Sequence, residues 1–143
     1  MTKQHAPFSN ILVIRVQNSV QLQSAFAVRT RVFVDEQGVA SSLEYDEYDH
    51  SAMHYIAHNH HDIFGTLRLR LVGDDVKLER MAIDKQWRGQ GVGAKMINIA
   101  LGETQQDHPD KNVVLHGQLH AQKFYEQLGF AVVSDVFMEA GIA

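Results

Sequence analysis

The sequence contains no cysteine, which excludes disulfides, thiolate metal sites and a cysteine-bound intermediate, and suits a reducing compartment. It also lacks a basic surplus. Its 13 Lys and Arg stand against 17 Asp and Glu, a formal charge of −4, whereas a general nucleic-acid binder usually carries the opposite sign. Long apolar runs are missing too: Ile11–Ile14 is cut by Arg15, well short of a secretory signal or a membrane span. No repeat, low-complexity tract or linker-like break divides the chain. With 143 residues, 45% of them hydrophobic, these absences leave one globular domain over residues 1–143. It is expected in the cytoplasm, with neither a membrane nor a nucleic acid as partner.

What is present is a regular alternation of element signals. Ile11–Val16 reads as a strand, and Ser19 is the expected cap of a helix with Phe26, Val28, Val32 and Phe33 on its apolar side, ending near Gly38. An acidic connection spans 35–49. Met53–His58 and Phe64–Val72 read as strands, the latter alternating Leu67, Leu69 and Leu71 with Arg68 and Arg70. The GDD turn at 73–75 predicts antiparallel pairing of Val76–Ile83 with the strand before it. Val92, Met96, Ile97, Ala100, Leu101 and Thr104 share one helical face, which His108, Pro109 and Asp110 end. Asn112–His116 reads as a strand, HAQKFYEQLGF as a short helix stopped at Gly129, and Phe130–Phe137 as one closing strand. The expected fold class is α/β, a mixed sheet in one layered domain.

The stretch QWRGQGVGAKM, residues 86–96, places Gly89, Gly91 and Gly93 where the second long helix begins, with Arg88 ahead of them. A helix N-terminus presents unpaired N–H groups and partial positive charge, and small residues let a phosphate approach them. The stretch therefore reads as a phosphate or pyrophosphate seat, against the plainer alternative of a flexible turn. Gly89, Gly91 and Ala94 also satisfy G-x-G-x-x-A, but a dinucleotide fold puts that fingerprint after its first strand, and here it lies past mid-chain. The P-loop pattern fails because Ala94 precedes Lys95 and no Ser or Thr follows.

LERMAIDKQWRGQGVGAKM resembles motif A of the GNAT N-acetyltransferase superfamily, R/Q-x-x-G-x-G/A, filled here by Arg88, Gly91 and Gly93. HAQKFYEQLGF resembles the helix that follows in that family. VFVDEQGV, with the later acids and His54, resembles the ElaA/YjcF-like subgroup. The likeness runs over roughly residues 11–142. It implies a GNAT-type acyl-CoA N-acyltransferase fold, a central mostly antiparallel sheet flanked by helices. Acetyl-coenzyme A is the implied co-substrate, with no metal, and a primary amine on a small molecule or a protein is the implied acceptor. A homodimer stays open. The pyrophosphate would lie on Arg88, Gly89, Gln90, Gly91, Val92, Gly93 and Ala94, and the pantetheine along Met81, Ala82 and Ile83, with Phe124 and Gln118 nearby. Many relatives carry Asn three residues before the alanine of the last helix, where this chain has Gln118 before Ala121.

Amide formation requires a neutral amine, a stabilised oxyanion and a proton for the departing thiolate. Tyr125 suits the last task, because phenol and thiol have neighbouring reference pKa values of about 10 and about 8.5. The resemblance makes it the general acid. Its place on the stripe Ala121, Phe124, Tyr125 and Leu128 equally fits a core residue. Glu79 is the family's general base by position, or a strand-surface salt-bridge partner. From 35 to 49 the chain has six acids and no Lys or Arg, while 68–95 has seven cations against four acids. That suggests one pole for an anionic cofactor and one for a cationic acceptor; in related proteins this region borders the acceptor cleft, so the resemblance implies Glu36 and Gln37 on the acceptor side. An ordinary solvated acidic loop is the competing reading. His50, His54 and His58, followed by His60 and His61, read as a histidine-rich hairpin rather than a metal site, since Met53–His58 is a strand. His116 and His120 flank the expected cleft as structural polar residues or proton shuttles. A coenzyme A-binding module without turnover is the alternative to an enzyme.

Overall fold

In this computed structural model, which describes residues 10–40, 45–116, 121–134 and 137–140, seven strands form one sheet in the order β1-β2-β3-β4-β5-β7-β6. The strands are β1 (Leu12–Arg15), β2 (Met53–His58), β3 (Ile63–Val72), β4 (Asp75–Ile83), β5 (Asn112–His116), β6 (Ala131–Ser134) and β7 (Phe137–Ala140). All neighbours are antiparallel except β4 and β5, which run parallel. Helix α1 covers Ser19–Arg29, α2 Val92–Asp107 and α3 Gln122–Gln127. The closing segment is therefore a hairpin rather than one strand. Its second strand, β7, inserts between β5 and β6, a pairing no local pattern encodes.

Asn18, not Ser19, caps α1. Its side chain accepts from Gln21 N at 2.9 Å, and Gln21 Oε1 accepts in turn from Gln17 N at 2.7 Å. The helix then widens into a π-helical turn over Thr30–Glu36, with Gln37 N donating to Val32 O, and stops where Gly38 takes φ +76°. Widening changes the direction in which Glu36 and Gln37 leave the axis.

The two faces of the sheet are covered differently. On one, Tyr55, Leu67, Leu69, Val76, Leu78, Val113 and Leu115 bury against Val92, Met96, Ile97 and Ala100 of α2. Gly65 is what lets α2 sit so close: a Cβ there would come within 3.0 Å of Met96 Sδ and 3.2 Å of Ala57 Cβ. On the other face Val28 and Val32 pack on Ala82, with Phe33 and Ile63 against them. Burying both faces explains why Arg68, which the alternation places opposite the leucines, is only 2% exposed. Among the described residues, no helix is long and apolar enough to cross a membrane.

Candidate active site

β4 and β5 share only three paired positions, Asp75–Asn112, Val76–Val113 and Lys77–Val114. From Leu78 onward no described strand pairs with that edge of β4, and its main-chain groups face a wedge. In the same region β4 bulges. Thr66 pairs with Ala82 and Arg68 with Glu79, so Arg80 and Met81 together face Leu67, and Arg80 takes φ +55°. The bulge turns two consecutive side chains, Glu79 and Arg80, to the α1 side, where Glu79 meets Arg68 and Arg80 meets Asp46, another partner of Arg68. A cleft of about 600 Å³ fills the wedge, lined by Gln37, Glu79, Arg80, Met81, His116 and Tyr125 among others.

The start of α2 approaches the cleft through Met81, whose Cε lies 3.6 Å from where a Cβ on Gly93 would sit. Gly89 and Gly91 take φ +77° and +84°, a left-handed backbone that costs an L-residue about 1–2 kcal/mol. A Cβ at either position would meet no atom within 4 Å, so conformation rather than crowding requires glycine there. Gly93 serves a different need, since its Cβ would approach Ile83 Cδ1 to 3.2 Å and Phe124 Cζ to 3.7 Å. The first intrahelical bond is Lys95 N to Gly91 O at 3.1 Å, which leaves the amides of Val92, Gly93 and Ala94 ahead of the helical ladder. The loop is anchored by Trp87, stacked 3.8 Å from Phe64, and by Gln90 Nε2 donating to Gln86 O. Gly91→Ala is expected to lower stability by about 1–2 kcal/mol and to weaken coenzyme A binding, read by urea melts and titration. Unchanged values for both would remove the conformational argument.

Arg88 does not stand alone at this loop. Its Nη1 and Nη2 each donate to Glu36 at 2.7 Å, and Nε donates to Ile83 O at 2.9 Å. Glu36, expected beside the acceptor, thus sits against the loop expected to hold the pyrophosphate, and its carboxyl is held below the usual range by Arg88. Gln37, one residue on, does line the cleft.

Two acids of the 35–49 segment, Asp46 and Asp49, are not open negative charges. Asp49 binds buried Arg29 (Nη1 to Oδ1, 2.7 Å), and Arg68 Nη1 donates to Asp46 at 2.7 Å and Asp49 at 2.9 Å. Arg80 Nη2 also reaches Asp46, at 3.0 Å. Within the segment expected to form a cationic-acceptor pole, basic side chains of α1, β3 and β4 neutralise Asp46 and Asp49. Neither the pairing of Asp46 and Asp49 nor the burial of Arg29 was visible in local sequence. The β4 bulge did leave a trace: the apolar positions run 76, 78, then 81, 83, one residue out of phase.

Glu79 lines the cleft but is tightly held. Arg68 donates to it through Nε at 2.7 Å and through Nη2, Arg70 Nε donates at 3.0 Å, and Lys77 Nζ lies 3.6 Å away. Burial opposes ionisation, yet the hydrogen bonds from Arg70 and Arg68 outweigh it and keep the carboxyl below the usual range. Asp46 is depressed chiefly by Arg68, and Asp49 by Arg29 against its own burial. All three carboxyls titrate lower folded than unfolded. Their stabilisation is complete above the unfolded carboxylate pKa of about 4 and drains away as pH falls below it. Thermal melts are therefore expected to hold near neutrality and to drop steeply below about pH 4; a flat profile down to pH 2.5 would contradict the network.

Tyr125 is half-buried on α3, edge-on to Phe124 and Phe130 at 5.2 and 6.0 Å, and faces the cleft as well as the core. Burial raises its phenol pKa, so the hydroxyl stays protonated at neutral pH. Phe124 is 37% exposed beside Gly93. His54 is buried and donates Nε2–H to Asp49 O at 2.8 Å, and His58 and His60 meet edge-on. Gln118, His120 and Glu44 lie outside the described residues. Among those described, no group of three or more His, Asp or Glu is placed to hold a metal.

Three comparisons bear on this geometry. Residues 16–143 match the model of the acetyltransferase (GNAT) domain. The N-acetyltransferase YjcF of Bacillus subtilis is 35% identical over 127 residues, covering 88% of this chain and 90% of that protein. The crystal structure of Escherichia coli ElaA superposes with a TM-score of 0.82 at 24% identity, over 91% of this chain and 99% of the other. A GNAT acetyltransferase from Elizabethkingia anophelis, solved with acetyl-CoA bound, shares the fold at a TM-score of 0.72 and 13% identity, over 92% and 98% of the two chains. With the splayed β4–β5 wedge, the glycine-led α2 and a family match spanning nearly the whole sheet, the chain belongs to the GNAT acetyltransferase family, as an enzyme of its ElaA/YjcF-like subgroup.

Proposed function

We propose that this enzyme transfers the acetyl group of acetyl-coenzyme A directly to a primary amine. The observation that carries the reading is the wedge itself: a parallel pair that parts after Lys77 and Val114, opening a cleft lined by Tyr125 and by Met81, whose Cε lies 3.6 Å from where a Cβ on Gly93 of α2 would sit. Val92, Gly93 and Ala94, with Gly89, Gln90 and Gly91, would receive the diphosphate on main-chain N–H groups, as anions are held at helix N-termini. The unpaired edge of β4 at Met81, Ala82 and Ile83 would take the amide-bearing pantetheine arm as an added strand. Arg88, tied to Glu36 and Ile83 O, acts by holding the loop in shape.

The step balances without a metal or an acyl-enzyme. A neutral amine attacks the thioester carbonyl, the tetrahedral adduct expels the thiolate as the C–S bond breaks, and Tyr125 gives that thiolate its proton. The phenolate recovers a proton from the new N-acetyl ammonium. Glu79, proposed as the base, would act through water. Its low proton affinity favours a part in orienting that water over permanent proton storage.

Acetyl-coenzyme A at 100 times its Kd should stabilise the protein by about 2.7 kcal/mol, a shift of several degrees in Tm, while NAD should leave Tm unchanged. Stabilisation by NAD alone would overturn the cofactor assignment. Cofactor binding with no thiol release from any amine would instead mark a binding module.

A further inference from the structure

The π-helical turn Thr30–Glu36 is clamped to the β4–α2 connection at both of its ends. At its start, Arg31 donates through Nε to Asp84 Oδ1 at 3.0 Å and through Nη2 to Oδ2 at 2.8 Å. At its end, Glu36 receives Arg88 on both oxygens, Nη1 on Oε2 and Nη2 on Oε1, each at 2.7 Å. The two pairs have opposite polarity, since the turn supplies the cation at one end and the carboxylate at the other. A shifted docking would set Arg31 against Arg88 or Glu36 against Asp84, so the charges specify one register. The Glu36–Arg88 pair is partly exposed, its side chains at 34% and 38%, and an exposed pair adds little to stability. Its two parallel hydrogen bonds fix direction instead, because a planar fork meets a carboxylate in one plane.

The pair stands between two parts of the site. Immediately after Glu36 the chain folds back: Gln37 N and Gly38 N donate to Val32 O and Val34 O at 3.1 Å, and Val39 N to Phe33 O at 2.8 Å. Phe33, Gln37 and Val39 line the cleft. Immediately after Arg88 come Gly89 and Gly91, which have no side chains to hold the loop. Arg88 is itself fixed by Nε donating to Ile83 O at 2.9 Å. One carboxylate thus joins the cleft lining to the loop at the start of α2.

We propose that Glu36 is a positioning residue, which through Arg88 couples the glycine loop to the cleft-lining residues Phe33, Gln37 and Val39. Coenzyme A on the loop then steadies the surface against which the amine is placed. This rests on the acetyl-transfer reading of the cleft. The coupling is one of restraint: a ligand that holds the loop in its clamped geometry also suppresses the opening of segment 37–39. By reciprocity, an acceptor that holds that segment tightens the binding of coenzyme A.

The test is amide hydrogen exchange of Gln37, Gly38 and Val39 in the full chain, followed by NMR with and without saturating coenzyme A. Calorimetry reports the binding itself. Exchange should slow by about fivefold or more in the wild type, the low end of site-to-site coupling. Glu36→Gln loses the charge and keeps the side chain's length; it should still bind coenzyme A, with the slowing reduced below about twofold. Arg88→Met should do the same, and the double variant should add nothing to either single change, as when both act through one contact. A Glu36 that served folding alone would speed exchange equally with and without coenzyme A, leaving the ratio as in the wild type, and that result overturns the inference. So does coenzyme A binding to the wild type with no slowing, or with faster exchange, in which case the diphosphate takes Arg88 from Glu36. Loss of all coenzyme A binding in Glu36→Gln would make Glu36 part of the ligand site and overturns it as well. Each of these leaves the transferase reading standing, whereas a wild type that binds no coenzyme A removes both.

Discussion

Tyr125→Phe is expected to lower kcat by about 10²- to 10⁴-fold, the range general acid catalysis contributes, while leaving acetyl-coenzyme A binding within about twofold. The substitution deletes one oxygen and keeps the ring, so its contacts with Phe124 and Phe130 persist and stability should change by less than about 1.5 kcal/mol. The split between kcat and cofactor affinity is what distinguishes a proton donor from a packed aromatic. Burial holds the phenol above its ordinary value, so the donor form is present throughout the neutral range. The wild-type rate should accordingly not fall as pH rises from 7 to 9, where the amine becomes increasingly neutral. Full thiol release by the phenylalanine variant would take Tyr125 out of the chemistry.

Arg68→Met is expected to destabilise the fold by about 3–5 kcal/mol, a large share of the 5–15 kcal/mol that holds a domain together. Methionine fills much of the space but leaves Asp46, Asp49 and Glu79 short of their common partner, and Asp49 and Glu79 are mostly out of water. The contrast is Arg15, whose ion pair with Asp107 is exposed at both ends, 39% and 45%; Arg15→Ala should cost no more than about 1 kcal/mol. Urea melts of the two variants give the comparison. The sign of the pH effect offers a second check. Near pH 3 the orphaned carboxyls can take protons, so the gap between Arg68→Met and wild type should narrow as pH falls from 7. A gap that stayed constant would show that the guanidinium contributes by packing alone.

Much of the sheet was legible because its signals are local. β2, β5 and the β3–β4 hairpin announce themselves through alternation and the turn at Gly73, and α2 through its apolar face and the break at His108. Less legible was whatever depends on which distant segments meet. The closing hairpin read as one strand because β7 earns its place only by pairing with β5. The burial of Arg29 and Arg68 was not legible because nothing near them in the chain says that the acids of 46–49 fold over that face.

The chain by itself determined the α2 glycine loop and the tyrosine on the last helix, since each is a short pattern whose conformation or chemistry follows from adjacent residues. Left-handed φ at Gly89 and Gly91 is such a property. Only the tertiary structure decided which charges meet. Acids and bases that lie 19 to 34 positions apart cancel or accumulate according to the sheet register and the one-residue bulge at Arg80. Coulomb energy depends on distance in space, and sequence spacing fixes that distance only within a single element.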